Sequence, residues 1–465
     1  MVFPIVGGDG KPTGYDVANS IRFNDDDSAY MQYTPSSAST SRKKWTWSGW
    51  VKRGEDPTDD NADYHRFFSV DADGNNYIIT GFLYSGGFNV TARVGGSEVL
   101  KFETGGGQFR DHAAWYHIVM AYDSTQGTAR NRFRVYFNGV EDTRALATTP
   151  DQNQELTVLD TSEHNIGRDN HGTAYYYDGY LSEVHFVDGT QYAASDFGEF
   201  NSDGVWIPID PTITYGTNGF RLEFKQTGTS ANSSGMGADT SGNDNHLTPN
   251  NLVATDITTD TCTNNFNTLN PNANAMGGTL SEGNLKCVGV NAVDKHVFGT
   301  FSLTKGKWYF EIKATDRNAR GSVWVSDTDH AAVIGTNYAG VSMHSGGATT
   351  SGTSNSNLDQ APTDGEIVCY AVDLDNGQVW LSRNADIDTS GTANITGLAT
   401  SGLDRDYRIS QRETGNPAST FEHNYGNAPY AISSSNADAN GYGSFEYAVP
   451  SGYFALCTKN LAEYG

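Results

Sequence analysis

Positive charge is scarce in this chain: 30 Lys and Arg stand against 55 Asp and Glu, a formal net charge of −25 over 465 residues. A surface of that sign repels phosphate backbones and anionic lipid, which argues against nucleic acid and membrane surfaces as partners. Long apolar runs are missing, and none approaches the ~20 residues of a membrane span. The opening MVFPIVGGDGKPTGYD has neither the basic region nor the apolar core of a secretory signal, so folding in a cytoplasm without export is expected. Cysteine is sparse. Cys262, Cys287, Cys369 and Cys457 all lie in the second half, without a C-x-x-C pair, and are expected to be free and mostly buried, with room for one disulfide. No long stretch repeats apolar residues at i, i+3, i+4 and i+7, which excludes a helical architecture.

Catalytic signatures are missing as well. A glycoside hydrolase built on a sandwich needs its acids along one strand face, as in Glu-x-Asp-x-x-Glu, and no Glu-x-Asp occurs. Asp196 and Glu199 are spaced three apart in a segment that reads as helix or loop, hence a solvated pair. There is no Gly-x-Ser-x-Gly nucleophile turn and no phosphate-binding glycine loop. His112 and His117 sit five apart at the start of a strand and read as surface or satisfied core histidines. The chain is therefore expected not to be an enzyme.

What the chain does have is aromatics, at 12% with 25 Tyr and 22 Phe, and 52 Gly. Abundant rings and turn formers suit many short strands joined by tight loops. Lys44-Trp-Thr-Trp-Ser-Gly-Trp-Val51 places Trp45 and Trp47 on one face and Thr46 and Ser48 on the other. That strict period of two marks a half-buried antiparallel strand. Ser20–Phe23, Ala29–Tyr33, Trp115–Tyr122, Arg132–Phe137 and Asp178–Val187 read the same way. Asn138-Gly139 closes a two-residue hairpin, since both turn positions need positive φ. In the second half, Lys307–Ile312, Gly365–Asp373 and Gln378–Ser382 are strands, the last two flanking Asn376-Gly377. The fold class is all-β: two tandem antiparallel, jelly-roll-like β-sandwiches. Residues 1–19 read as an extended N-terminal arm, 20–225 as the first sandwich, 226–279 as a polar linker and 280–465 as the second sandwich.

The order W-T-W-S-G-W-V-K, W-Y-H-I-V, R-V-Y-F-N-G, I-G-R and D-G-Y-L-S-E-V-H-F resembles the laminin-G/concanavalin-A-like lectin family across about residues 20–225. The resemblance implies two curved antiparallel sheets, with Asp178 and Glu183 structural. G-K-W-Y-F-E-I, G-E-I-V-C-Y-A-V-D-L-D-N-G-Q-V-W-L-S-R-N, F-E-H-N-Y-G and G-Y-F-A-L-C resemble the SPRY family across about 280–460. That family binds partners through loops at one end of its sandwich, here 315–322, 345–362 and 386–406. S-I-R-F-N-D-D-D-S-A-Y, the tryptophan run and D-T-S-G-N-D-N-H-L-T-P-N-N-L together resemble virion proteins of marine tailed phages, including cyanophages. This implies a tail fibre, adhesin or capsid-surface appendage on the particle. Its partners would be other virion proteins, copies of itself (a trimer by analogy) and host-surface polysaccharide.

Exposed aromatics stack on pyranose faces while Asn and Asp fix hydroxyls. Tyr175-Tyr176-Tyr177 is the leading carbohydrate candidate, because at period two one or two of its rings must face away from the core; Trp324 and Tyr338 are further candidates. Asp25 and Asp27 in one turn, and Asp71, Asp73 and Asn75 in another, have a spacing that could wrap Ca²⁺, the one cofactor the sequence suggests. Asp and Gly also suit such turns without a metal.

Overall fold

A computed structural model describes residues 14–56, 64–156, 159–171, 175–290, 295–317, 321–327, 338–342, 348–350, 362–400, 406–413 and 418–465. Among these the structure is strands throughout, with a few short helical turns and one terminal helix, Thr458–Tyr464. No helix among them is long and apolar enough to cross a membrane. The all-β expectation holds. The chain forms two compact units that divide between Thr263 and Asn264.

The first unit is a sandwich of an eight-stranded and a seven-stranded antiparallel sheet. Lys44–Arg53 lies centrally in the eight-stranded sheet, between Trp115–Asp123 and Gly179–Asp188. Trp45 and Trp47 point inward, as the alternation predicts, and are fully buried. They meet rings from both sheets: Trp45 stacks on Tyr122 at 6.0 Å, and Trp47 packs against Phe67 at 5.1 Å between centroids. Asn138 and Gly139 adopt φ of 47° and 79°, and Phe137 pairs with Val140, as a two-residue hairpin requires. In the seven-stranded sheet, Tyr30–Tyr33, Glu163–Ile166, Tyr64–Asp73, Asn76–Leu83, Phe88–Val94 and Ser97–Glu103 follow one another, with Thr248–Asn250 on the outside of the first.

The expected linker is not a linker. Residues 226–263 complete the first sandwich: Met236, Leu247 and Leu252 are buried in its core, Thr248–Asn250 pairs with Tyr30–Tyr33, and Ile257–Thr258 pairs with Ser20–Phe23. The polar residues serve the backbone. Asp239 accepts from the main chain of Arg221, Ser241 and Asn245 and from the Ser241 hydroxyl, and the Asn243 and Asn245 amides donate to carbonyls of Gly216, Thr217 and Gly219. Residues 264–279 belong to the second unit, where Phe266 and Leu269 are buried. Residues 1–13 of the expected arm lie outside the described residues. Residues 14–19 pack on the first sandwich, with Val17 buried and the Tyr15 hydroxyl donating to Glu183 at 2.8 Å.

The second unit pairs a six-stranded with an eight-stranded sheet. Trp308, Phe310 and Ile312 of the Lys307–Asp316 strand enter its core, where Phe310 stacks on Tyr370 at 4.6 Å. On the other side of that strand Glu311, fully buried, accepts from the Tyr309 hydroxyl, the Asn424 amide and the main-chain amides of Glu446 and Tyr447. One carboxylate thus fastens the 425–447 segment over the sheet. The Ile367–Asp373 and Gln378–Arg383 hairpin forms where Asn376-Gly377 predicted it, with Asp373 accepting from the amides of Asp375 and Asn376. All four cysteines are free, three of them buried.

Two stability predictions follow from buried charge. Lys52 Nζ and Asp260 Oδ2 meet at 2.7 Å with both side chains about 1% exposed, and the Trp115 indole donates to the second carboxylate oxygen. Asp260→Ala removes the carboxylate that offsets the buried ammonium, which lies 5.3 Å over the Tyr180 ring, and denaturant unfolding should show a loss of about 3–5 kcal/mol; removing both charges as Lys52→Met/Asp260→Leu should cost much less. In the second unit, burial pushes the Glu413 carboxyl up to about 7, against hydrogen bonds from Ser419 that pull it down. The folded state then holds that proton more tightly than the unfolded one, so this group's contribution falls as pH rises through about 7. Glu413→Gln should raise the unfolding temperature relative to the parent at pH 8.5, and match it near pH 4.

Candidate functional site

The outer face of the eight-stranded sheet in the first unit is closed. Phe197, Tyr215 and Ala194 pack on Val119, Val187 and Tyr136, while Trp50, Trp115 and Tyr180 form a second cluster against Trp206 and Cys262. A buried Ser48–His117 pair beneath this cover, at 2.9 Å, has the look of nucleophile and base but the wrong tautomer. The Trp206 indole donates to His117 Nδ1 at 3.0 Å, so the ring proton sits on Nε2 and is given to Ser48. Burial also pushes the imidazole down to about 3. The pair is structural.

The outer face of the seven-stranded sheet is different. Register sets its side chains in cross-strand rows: Glu163, Asp71, Tyr77, Arg93 and Glu98 in one, and Asn165, Ser69, Ile79, Thr91 and Lys101 in the next. A third runs Arg66, Gly81, Asn89 and Glu103. Arg66 joins this face because the strand bulges between Arg66 and Phe68. The extra residue sends both Phe67 and Phe68 into the core and turns Tyr64 and Arg66 outward with Asp71. Gly81 permits it: a Cβ there would stand 2.2 Å from the His65 carbonyl oxygen.

Over these rows lies a small hairpin, Arg168–Asp169 paired with Tyr175–Tyr176, anchored by the Ser69 hydroxyl donating to the Arg168 carbonyl. It brings rings and charges together. The Tyr175 ring meets Tyr64 edge-on at 5.3 Å, and the Arg66 guanidinium lies 4.4 Å over Tyr64. His171 stacks on Tyr77 at 3.9 Å. At the other corner Arg168 sits 3.5 Å over Tyr30, beside Tyr176, and donates to Glu163. Burial pushes the Asp71 carboxyl up to about 6; His171 pulls it down, while Asp169, Asp73 and Glu163 add to the rise. Burial also raises Asp169 and lowers Arg66. The result is a patch in which Tyr64, Tyr175, Tyr176, His171 and Asp71 are half-exposed over a buried Tyr77 and Asp169, suited to polar ligands with flat apolar faces.

Of the sequence candidates for sugar binding, Tyr175 and Tyr176 are on this face and half-buried. Tyr177 is not: it is fully buried, with its hydroxyl donating to the Lys52 carbonyl at 2.7 Å and its ring against Phe67. Trp324 is also withdrawn, 5% exposed, with its indole on Ser322 and Arg412 over its ring. The Tyr338 side chain, residues 318–320, most of 345–362 and 401–405 of the expected recognition loops lie outside the described residues.

The Ca²⁺ reading does not fit the donor sets. Asp25 Oδ1 accepts from the Asp26 amide and Asp27 Oδ2 from the Asn24 side chain. Asp73 accepts from the Asn75 amide and the Asn76 side chain, as a turn needs, and these bonds hold its carboxyl below the usual range. Asp71 instead faces the Tyr77 row. Among the described residues no three His, Cys, Asp or Glu side chains gather as a metal-holding set, whereas Ca²⁺ takes six to eight oxygens. Sequence reasoning missed Tyr64, Tyr77, Arg66, Asp169 and His171, whose meeting depends on the bulge and on pairing between distant strands. A separate depression of about 520 Å³ between Thr40, Tyr215, Thr217, Ser241 and Asn243 is polar, but the Asn243 amide is already committed to main-chain carbonyls.

Residues 25–194 match the Concanavalin A-like lectin/glucanases superfamily. The match spans the hairpin and the strands that form the open face. Among solved structures the chain is similar to the SPRY domain of human HERC1, at 11% identity and a TM-score of 0.24, covering 30% of this chain and 87% of that one. It is similar to the TRIM65 PSpry domain at 16% and 0.27, covering 34% and 91%. It is also similar to a heptameric SAP-like pentraxin from Limulus polyphemus at 15% and 0.27, covering 38% and 80%. No curated protein matches.

Gly81→Val should show how the face depends on the bulge. The clash with the His65 carbonyl should lower stability by about 1–3 kcal/mol in denaturant unfolding, and the loss of Tyr64 and Tyr175 environments should appear in the near-ultraviolet circular dichroism.

Proposed function

We propose that this chain is a non-catalytic glycan-binding protein whose binding surface is the open face of the seven-stranded sheet, and that it serves as an adhesin or fibre component on the virion of a tailed phage. One observation supports the binding surface above all others: the Arg168–Tyr176 hairpin collects Tyr64, Tyr77, Tyr175, His171, Asp71 and Asp169 on the outer face of the seven-stranded sheet. The lectin-like fold of residues 25–194 agrees with binding. The virion setting is supported by the sequence resemblance of the opening strand, the tryptophan run and the Asp239–Leu252 segment, and host polysaccharide is the ligand that setting offers.

A raised carboxyl at Asp71 beside Asp169 is also what a glycosidase would use. The test therefore has two readouts. On an array of bacterial surface glycans the intact chain should bind, and Tyr175→Ala/Tyr176→Ala should weaken binding at least tenfold with an unchanged unfolding temperature. Incubation with the bound glycan should release no reducing ends; release would replace binding with hydrolysis. Antibody labelling of intact particles should place the protein on their surface.

A second reading, an architectural role as connector or capsid-surface decoration, is favoured by a different feature. Phe200 is 52%, Val205 46% and Val140 54% exposed around Trp206, an apolar patch of the sort that contacts other subunits. Fixed stoichiometry on particles without any glycan binding would decide for it.

A further inference from the structure

The charges on the open face are not evenly available. The two guanidinium groups nearest the hairpin are turned away from solvent and engaged. Arg66 is 3% exposed, bonded to Asn89 and stacked on Tyr64. Arg168 is 8% exposed, bonded to Asn165 and Glu163 and lying over Tyr30. Arg93 is half-buried, donates to the Gly96 carbonyl and is paired across the strands with Glu98. The carboxylates are more numerous, and of them Asp169 is buried. Asp73 is exposed, and Asp71, Glu163 and Glu98 are half-exposed. A ligand arriving at this face therefore meets more carboxylates than cations: Arg93 is half-exposed, as Asp71 is, and Lys101 is paired with Glu103 at 3.4 Å. Among the described residues neither Asp71 Oδ1 nor His171 Nδ1 has a hydrogen-bond partner, although both atoms are screened from water. They stand on either side of the Tyr77 ring, one by cross-strand pairing and the other by stacking.

Resting on the glycan-binding reading above, we propose that this face selects uncharged glycans over acidic ones, with the Asp71–Tyr77–His171 corner as the point that holds the sugar. A neutral pyranose offers hydroxyl donors to the acid and an apolar face to the rings. The carboxylate of a uronate or sialate would approach Asp71, Asp73 and Glu163 against a single half-exposed guanidinium in these rows, Arg93, which already donates to the Gly96 carbonyl, and like-charge approach of that kind costs affinity. The chain's overall charge of −25 acts in the same direction at longer range.

Titration calorimetry of the full chain in 0.15 M salt tests this with four probes: mannan and laminarin oligosaccharides as neutral glycans, alginate oligosaccharides and oligosialic acid as acidic ones. Binding of at least one neutral probe is expected, at least tenfold tighter than either acidic probe. Asp71→Asn and His171→Ala should each weaken the neutral probe at least fivefold while leaving the unfolding temperature unchanged. Asp71→Asn should also narrow the gap between neutral and acidic probes, which a merely structural role would not do. Acidic probes binding as tightly as neutral ones would overturn the selectivity but leave the glycan-binding reading standing. Neutral binding indifferent to both variants would overturn the assigned corner. Binding of none of the four probes, nor of any glycan on the array, would overturn the glycan-binding reading itself, and this inference with it.

Discussion

A single extra residue in the Tyr64–Asp73 strand decides what the open face carries. In a regular strand Tyr64, Arg66, Phe68 and Val70 would share one face, and burying the two apolar members would bury the arginine with them. The bulge between Arg66 and Phe68 breaks that phase. It places Phe67 beside Phe68 in the core and frees Tyr64 and Arg66 to join Asp71 outside. Gly81, across the ladder, is the residue that tolerates the close approach. The hairpin at Arg168–Tyr176 then has a ring and a guanidinium to dock on, and the remaining site residues are positioned by that docking. A register slip here would do more than loosen the site, since it would exchange its residues for core ones.

The segment whose composition says linker completes the sandwich between its two sheets. Its apolar content is small: Met236, Leu247 and Leu252 supply most of the burial. What keeps so polar a stretch in place is the backbone accounting of Asp239, Asn243 and Asn245, each satisfying main-chain groups that would otherwise be stranded. Asp260 at the end of the same segment is buried on Lys52 and Trp115, which ties the segment to the central strand of the eight-stranded sheet. The outer face of that sheet lies under Ala194, Phe197 and Tyr215, while that of the seven-stranded sheet carries the Arg168–Tyr176 hairpin.

These two features also mark how far the residues could be read without coordinates. Alternation at Trp45–Trp47, Asn138-Gly139 and the strands around Asn376-Gly377 was legible because each signal is local: side-chain parity and turn chemistry are fixed within a few residues. Tyr175–Tyr177 did not follow that parity: Tyr175 and Tyr176 are both half-buried on the outer face, and Tyr177 is lost to the core, where its hydroxyl reaches the Lys52 carbonyl. Tyr77, His171, Arg66 and Asp169 were not legible. Nothing within the run His65-Arg66-Phe67-Phe68 announces a bulge, and His171 meets Tyr77 only after pairing over some ninety intervening residues has been settled. Asp25, Asp27, Asp73 and Asn75 misled for the opposite reason, since turn-forming acids and cation-binding acids share one local spacing, and their partners here are amides.

A site borne on strands differs in strength from one enclosed by loops. Sheet-borne side chains are rigid, so little conformational entropy is lost on binding, but an open face buries only one side of a sugar, and the free energy available from one or two stacked rings is correspondingly limited. On the proposed reading, individual contacts would be weak and short-lived. Attachment would then come from repetition: copies held together on one particle raise the effective concentration of the second and later contacts, and avidity can exceed single-site affinity by about 10²–10⁴ without any new interaction. The exposed Phe200, Val205 and Val140 bear on the same point, because a weak adhesive face is useful only when another surface fixes its neighbours in place. The two readings of the chain, binding and assembly, are then complementary demands on different faces of one sandwich.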